Sequence, residues 1–456
     1  MTRRAALVLL AIVCAPSAAG AQGVLAADVV TPPANVLLPN YDSVPIGPNA
    51  GLEGSAYVAR VADPSAAWLN PAGLARATTS EVSGSSGLFQ ISNVSPSALP
   101  DSGGSVQQLP SVVGFTAANV LRMGFTLGLS VLTASSWAQE TNSQLTVDRG
   151  TARERFAYSA DSEFQQHVGA GSIGYASGRL RLGGGLAFVY TDLAKNEVLS
   201  DRLGSATSLR SLIIETRASG STFQMRPLFG VQFDVSPHVH VGGMIRTPAL
   251  TLYRSASATE ESIAENGSAS IGASFFDSEA EFAYRQPFEF HGGVAYTAAR
   301  GEIEFDVHAY TPISAYTMIA SDQPIVTYVN PGAGSAPVAT SRAYGGAISQ
   351  SRGLANVAVG GHLLLNSNGV WRLHYGAATD FSPVGDEDKV FTRLDRFGWS
   401  VGVSGTKGPL QFTVGVNYRS GTSDDVLIRN LQNGEQVNST IAVQTLGLIY
   451  SLSYKF

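Results

Sequence analysis

The sequence predicts an all-β fold, a 14-stranded antiparallel transmembrane β-barrel with an N-terminal plug, or hatch, in its lumen. Three observations predict it. The chain opens on a secretory signal, segments of period two recur from residue 80 to residue 456, and short turns alternate with long polar loops between them.

Arg3 and Arg4 form a positive n-region, Ala5 to Ala15 an apolar run, and Ala19-Gly20-Ala21 a small-residue cleavage pattern. The run is well short of the ~20 residues of a spanning helix, so residues 1–21 read as a signal peptide and the mature chain starts near Gln22. Its removal shifts the net charge from -6 to -8, because two arginines leave with it. The single cysteine, Cys14, leaves as well. Acylation of Cys14 is the lesser reading, since Ala11-Ile12-Val13 lacks the small residues such processing prefers. A cysteine-free mature chain suits an oxidising compartment.

Charged residues make up 14% of the chain, where a soluble domain has about 25%. No apolar stretch after the signal reaches the length of a membrane helix. A closed sheet is then the remaining way to cross lipid, because it leaves no backbone group unpaired. The 49 glycines and 16 tyrosines fit such a wall. The mild acidity and the lack of a basic patch interleaved with aromatics argue against nucleic acid.

The clearest strand is 121–133, with Met123, Phe125, Leu127, Leu129 and Val131 on one face and Arg122, Gly124, Thr126, Gly128 and Ser130 on the other. Segments 179–191, 397–404 and 411–419 repeat the pattern. Strands are expected near 80–92, 110–118, 121–137, 163–177, 179–192, 223–235, 238–253, 286–298, 301–317, 352–365, 370–382, 395–405, 409–419 and 440–456. Tight turns fall at Asn119-Val120, Ser177-Gly178, Ser236-Pro237, Ala299-Arg300, Asn366 to Gly369 and Thr406-Lys407-Gly408. The longest loops are expected over 193–222, 254–285 and 318–351, with strand extensions possible in the second. Trp137, Tyr190, Tyr253, Trp371, Trp399, Tyr418 and Tyr450 near strand ends read as interfacial girdles. The last strand alternates Leu446, Leu448, Tyr450, Leu452 and Tyr454 and closes on Phe456, which looks like a barrel-insertion signal.

Residues 22–79 do not alternate. Residues 22–50 form an N-terminal extension rich in Pro, Asn and Ala, and 51–79 a small-residue hatch preceding a barrel of residues 80–456. A wide barrel needs filling if it is not to leak. The ordered string Gly51 to Tyr57, Asp63 and Asn70-Pro71-Ala72, followed by Gly73-Leu74, resembles the hatch of the FadL/TodX-type outer-membrane transporter family for long-chain fatty acids and aromatic hydrocarbons. The resemblance continues loosely through Gly292-Gly293-Val294-Ala295-Tyr296 and Asp306. It implies capture near the outer loops, a pocket between wall and hatch, and lateral release through the wall. The ~29 residues before Gly51 depart from the family, whose chain start helps form the ligand site.

Asn70, Pro71 and Ala72 are the hatch-motif residues. Capping by Asn70 and a helix start at Pro71 explain them without ligand contact, and Trp68 is expected to pack the plug. Glu302, Glu304, Asp306 and His308 share one face, read as a lumenal ladder paired with arginine from the hatch or a neighbouring strand. His238 and His240 share another, with no third ligand in sight for zinc. No nucleophile elbow, H-E-x-x-H or phosphate loop appears, so no catalytic residue, metal site or cofactor is predicted.

The function expected is passive uptake of a hydrophobic small molecule across the cell outer membrane, by a monomer contacting lipid and lipopolysaccharide. The ligand-binding residues are not named by any spacing. Leu212, Ile213 and Ile214 are candidates for a loop capture surface, and Pro227 and Pro287 mark places where a ladder bond is absent. The alternative is a non-transporting barrel of the same superfamily, a scaffold or secretion partner using residues 22–50 as a docking arm. An open polar porin is disfavoured by the plug.

Overall fold

The computed structural model describes residues 37–44, 46–96, 102–109, 112–120, 124–149, 152–205, 209–332, 336–366, 370–429 and 436–456. The expected signal peptide and the first part of the extension, 22–36, lie outside the described residues.

Fourteen strands form the wall. They are β1 (Glu81–Pro96), β2 (Ser102–Leu109 and Val112–Val120), β3 (Phe125–Arg149), β4 (Ala152–Ser177), β5 (Leu180–Ser205), β6 (Leu209–Asp234), β7 (Val239–Arg246 and Leu250–Asn266) and β8 (Ala269–Phe282 and Glu289–Ala298). The second half continues with β9 (Gly301–Tyr310, Ile313–Ala320 and Pro324–Asn330), β10 (Val338–Ala343, Ala347–Ser351 and Leu354–Leu364), β11 (Trp371–Asp380), β12 (Asp395–Lys407), β13 (Leu410–Arg429) and β14 (Gln436–Lys455). Neighbours pair antiparallel in chain order. β1 pairs with β14 from Glu81↔Lys455 to Pro96↔Ile441, which closes the sheet.

The wall is inside-out relative to a soluble protein. On β9, Ile303, Phe305 and Val307 face outward while Glu304, Asp306 and His308 are buried in the lumen. Leu127, Leu129 and Val131 of β3 and Leu446, Leu448 and Leu452 of β14 continue the outward apolar belt. A Leu or Phe moved from water into an apolar phase gains about 1.5–3 kcal/mol. So broad a belt on a closed sheet therefore belongs in lipid. Among the described residues, no helix is long and apolar enough to cross a membrane.

Three expectations are corrected. The polar stretches 193–222, 254–285 and 318–351 are mostly strand rather than loop. β4, β5 and β6 are each 26 residues long, where a span needs about 9–11. Beyond the bilayer both faces meet water or protein, so the ladder continues after the period-two signal has faded. Leu212 and Ile214 accordingly sit on β6, packed against Phe156, Tyr158, Ala160 and Leu199, and Ile213 pairs with Ile263 of β7. Trp137 is buried inside the barrel rather than at an interface. A bulge between Thr133 and Ser135 inserts one residue, which switches the face that every later side chain occupies. Finally, β2 extends to Val120, so Asn119-Val120 is strand rather than turn.

The lumen is filled by the N-terminal segment. α1 (Pro48–Leu52) lies against β11 to β14, α2 (Ala66–Leu69) against β3 and β4, and a 3-10 turn (Pro71–Arg76) against β3 to β6. Residues upstream of Gly51 share this interior, since Leu37, Leu38 and Asn40 are almost fully buried.

Candidate functional site

The hatch is held by a polar network that uses the inward row of β9. Arg60 bridges Glu53, Glu302 (3.3 Å) and Glu304 (2.7 Å). Asp306 accepts the backbone N–H groups of Tyr57 (2.8 Å) and Val58 (3.0 Å), and Glu304 accepts that of Ala59. Hatch amides that no helix satisfies thus find wall carboxylates, and the side chains predicted to line the lumen do line it. Arg76 and Arg181 both reach Asp234 (2.8 and 2.7 Å), which also meets His240 (2.7 Å). His238 instead contacts the Thr297 carbonyl oxygen at 3.0 Å.

The Asn70 side chain accepts the Ala72 N–H (3.2 Å) at the start of the 3-10 turn and donates to the carbonyls of Val58 (2.9 Å) and Val231 (3.2 Å). Pro71 is the first residue of that turn and Ala72 is buried beneath it. One side chain therefore fixes a turn, a neighbouring hatch segment and the wall.

Above the hatch, towards the loop end, inward side chains merge into an apolar chamber. Leu37, Leu38, Trp137, Phe164, Phe282 and Met318 are among its buried members. The β11–β12 loop, residues 381–394, folds into its mouth. Thr392 donates its N–H to the Leu37 carbonyl (2.9 Å), and Leu394 is buried. Burial raises the pKa of Asp388 in this loop, partly offset by the hydrogen bonds it accepts from Phe391, Gln350, Ser349 and Val390.

Between chamber and hatch lies a cavity of about 60 Å³. Val44, Ile46, Trp68 and Val189 supply its apolar lining, and Arg226, Arg246, Glu289, His291 and Asp42 its polar one. Glu289 pairs with both arginines. The Arg246 guanidinium also stacks 3.8 Å from the Trp68 ring centroid. Asp42 accepts from Tyr310 (2.9 Å) and Asn356 (2.7 Å) and meets His308 (3.1 Å). Period two does place Glu289 and His291 inward, alternating with the outward Phe288 and Phe290, but nothing in the sequence marks them off from other lumenal positions.

The wall is interrupted beside this cavity. Residues 247–249 separate the two segments of β7, and residues 283–288, with Pro287, separate those of β8. The paired segments on either side, Val239–Arg246 with Glu289–Ala298 and Leu250–Asn266 with Ala269–Phe282, leave a gap in the ladder between them. Pro227 of β6 keeps a ladder partner at this level, its carbonyl accepting the Thr247 N–H (3.1 Å). Arg226 fills the gap from inside, donating to the carbonyls of Thr247 and Pro287 and to Gln286 (2.9 Å).

The comparisons with known proteins follow the architecture. No family model and no curated protein sequence matches the chain. Solved structures do. The Pseudomonas putida toluene transporter TodX matches 91% of this chain over 99% of its own, at 13% identity and a TM-score of 0.56. A Pseudomonas aeruginosa FadL homologue matches 94% over 100%, at 13% identity and 0.55. The Ralstonia pickettii toluene transporter TbuX matches 91% over 99%, at 12% identity and 0.54. The fold is that of the FadL/TodX-type barrels. The match runs nearly end to end.

Proposed function

We propose that this barrel sits as a monomer in the cell outer membrane, its belt against lipid and lipopolysaccharide, and carries hydrophobic small molecules inward without an energy source. The observation that carries the reading is a continuous route. The apolar chamber at the loop end leads to an amphipathic cavity, and the cavity abuts an interruption in the wall between β7 and β8. A solute that partitions poorly through a polysaccharide-coated leaflet is desolvated in the chamber. It then leaves sideways where the ladder is broken. The transporters matched above support the same reading, as does the absence of a motif for catalysis.

Between long-chain fatty acids and aromatic hydrocarbons, the cavity favours the acid. Among the described residues, the buried Arg246 Nε has no hydrogen-bond acceptor, which leaves a cationic donor for a carboxylate beside an apolar wall. At about 60 Å³ the cavity is too small for a long acyl chain, so the conformation described is a closed one and the hatch shifts to admit ligand.

The test is uptake of labelled oleate and of labelled toluene by Gram-negative cells lacking their own fatty-acid transporter. Entry of oleate through the intact chain is the expected result. Entry of toluene alone would reassign the cavity to hydrocarbons. Entry of neither, with the barrel correctly inserted, would leave the scaffold reading.

A further inference from the structure

A second polar centre lies at the turn end of the lumen, on the far side of the hatch from the chamber. Glu53 follows α1 and rests against Gly360 of β10 and Gly376 of β11. A Cβ at either glycine would collide with the Glu53 backbone, so the absence of side chains there lets the hatch main chain lie directly on the wall. Two residues along each strand stand His362 and His374, cross-strand partners that both face inward. Glu53 Oε1 is 2.7 Å from His374 Nδ1 and 3.4 Å from His362 Nδ1. The three residues are 1%, 8% and 1% exposed.

One carboxylate oxygen and two imidazole nitrogens thus converge, all within 4.8 Å of one another. Tetrahedral zinc, with bonds of ~2.0–2.2 Å, holds its donors roughly 3.4 Å apart, so closing the set takes only small side-chain movements. Arg60 occupies the other oxygen of Glu53, so a metal would replace the hydrogen bond that Oε1 shares with His374 Nδ1 and leave the arginine pair in place. His374 Nε2 lies 2.8 Å from Ser404 Oγ, the outer contact that fixes ring orientation and tautomer in metal-ligating histidines.

Beside the cluster, Glu53, Glu302 and Glu304 share Arg60. Arg76 is committed to Asp234, and Arg372 stands on the adjoining cavity. The adjoining cavity, about 330 Å³ and lined also by Arg60 and His240, gives a hydrated ion access and room for a water as fourth ligand.

We propose that Glu53, His362 and His374 form a divalent-metal site, suited to Zn²⁺, that clamps the hatch to β10 and β11. Two imidazoles and a carboxylate suit zinc better than calcium or magnesium, which take oxygen ligands. The clamp joins residues more than 300 positions apart in the chain, so metal binding reports directly on the seating of the hatch. The proposal does not depend on what the barrel transports.

The experiment uses the full mature barrel in detergent, stripped with a chelator and titrated with Zn²⁺ by calorimetry. Metal content is then measured after gel filtration. One Zn²⁺ per chain and a rise in unfolding temperature are expected. His374→Ala and His362→Ala should each weaken binding by about 100-fold or more. Ser404→Ala, which leaves every ligand in place, should weaken it by roughly 10-fold, a loss that binding elsewhere would not show. His240→Ala, on the same cavity, should leave it unchanged. X-ray absorption of the wild-type zinc complex, which needs no variant to fold, should show two imidazoles in the first shell. Substoichiometric binding at neutral pH, or full binding in the double histidine variant, would overturn the proposal.

Discussion

Arg226 stands where the wall has no ladder. Its guanidinium is 2% exposed and satisfies the carbonyls on both sides of the β7–β8 gap while pairing with Glu289. Removing one partner of a buried pair costs about 3–5 kcal/mol, because the remaining charge stays buried. Since Arg246 still holds Glu289, the lower end of that range, about 3 kcal/mol, is expected for Arg226→Ala. The readout is the temperature at which the barrel loses its compact gel mobility. Arg226→Lys should recover little, because an ammonium cannot bridge several acceptors in the fixed fork of a guanidinium. Full recovery by lysine would mean that the gap needs only a charge and not a brace. Arg60 makes a contrasting case. It holds Glu53 of the hatch and Glu302 and Glu304 of β9, so Arg60→Met should loosen the hatch while the ladder of the wall stays paired. The expected sign is entry of large antibiotics that the intact barrel excludes.

At the scale of the element, the hatch and the wall are fitted by what the wall lacks. Gly376→Val would drive a branched side chain into the Glu53–Gly54 backbone. The strand itself, between β10 and β12, would keep its ladder. Insertion should therefore survive while single-channel conductance rises from near zero. An unchanged closed state would show that the hatch is seated elsewhere. This fit was only half legible in the sequence. The membrane-level strands announced themselves because lipid demands an apolar residue at every second position. Their extensions did not, because water imposes no such period on Leu209–Asp234 beyond the bilayer. Trp137 was misplaced for a similar reason, since a one-residue bulge leaves no mark on composition. In the hatch, Asn70-Pro71-Ala72 could be read as a cap because a cap is local. The partners of Glu53 could not, because His362 and His374 reach it only through barrel closure.

Taken whole, the molecule is a closed barrel whose interior holds apolar surface at one end, buried charge at the other and the hatch across both. A ligand on the proposed route meets the hatch, so it passes only where the hatch yields or where the β7–β8 gap lets it by. Because the mature chain is expected to lack cysteine, a single engineered pair can test this cleanly. A Cβ at Gly128 would lie 3.3 Å from Cβ of Ala67, slightly inside the ~3.5–4.5 Å separation of disulfide-bonded residues. Ala67→Cys with Gly128→Cys therefore ties α2 to β3 with little backbone adjustment. The Leu74 side chain, which also approaches this position, is flexible enough to give way. If the hatch moves during uptake, the oxidised variant should carry oleate at least ~10-fold more slowly than the reduced one, the motion being slow and collective rather than a side-chain hop. Reduction should restore the rate in the same cells, which separates a locked hatch from a damaged barrel. Equal rates in both states would mean that ligand passes a stationary hatch, and the moving parts would then be the β11–β12 loop and the β7–β8 gap. No entry even after reduction would count against transport itself and leave the zinc clamp to be judged by its own titration.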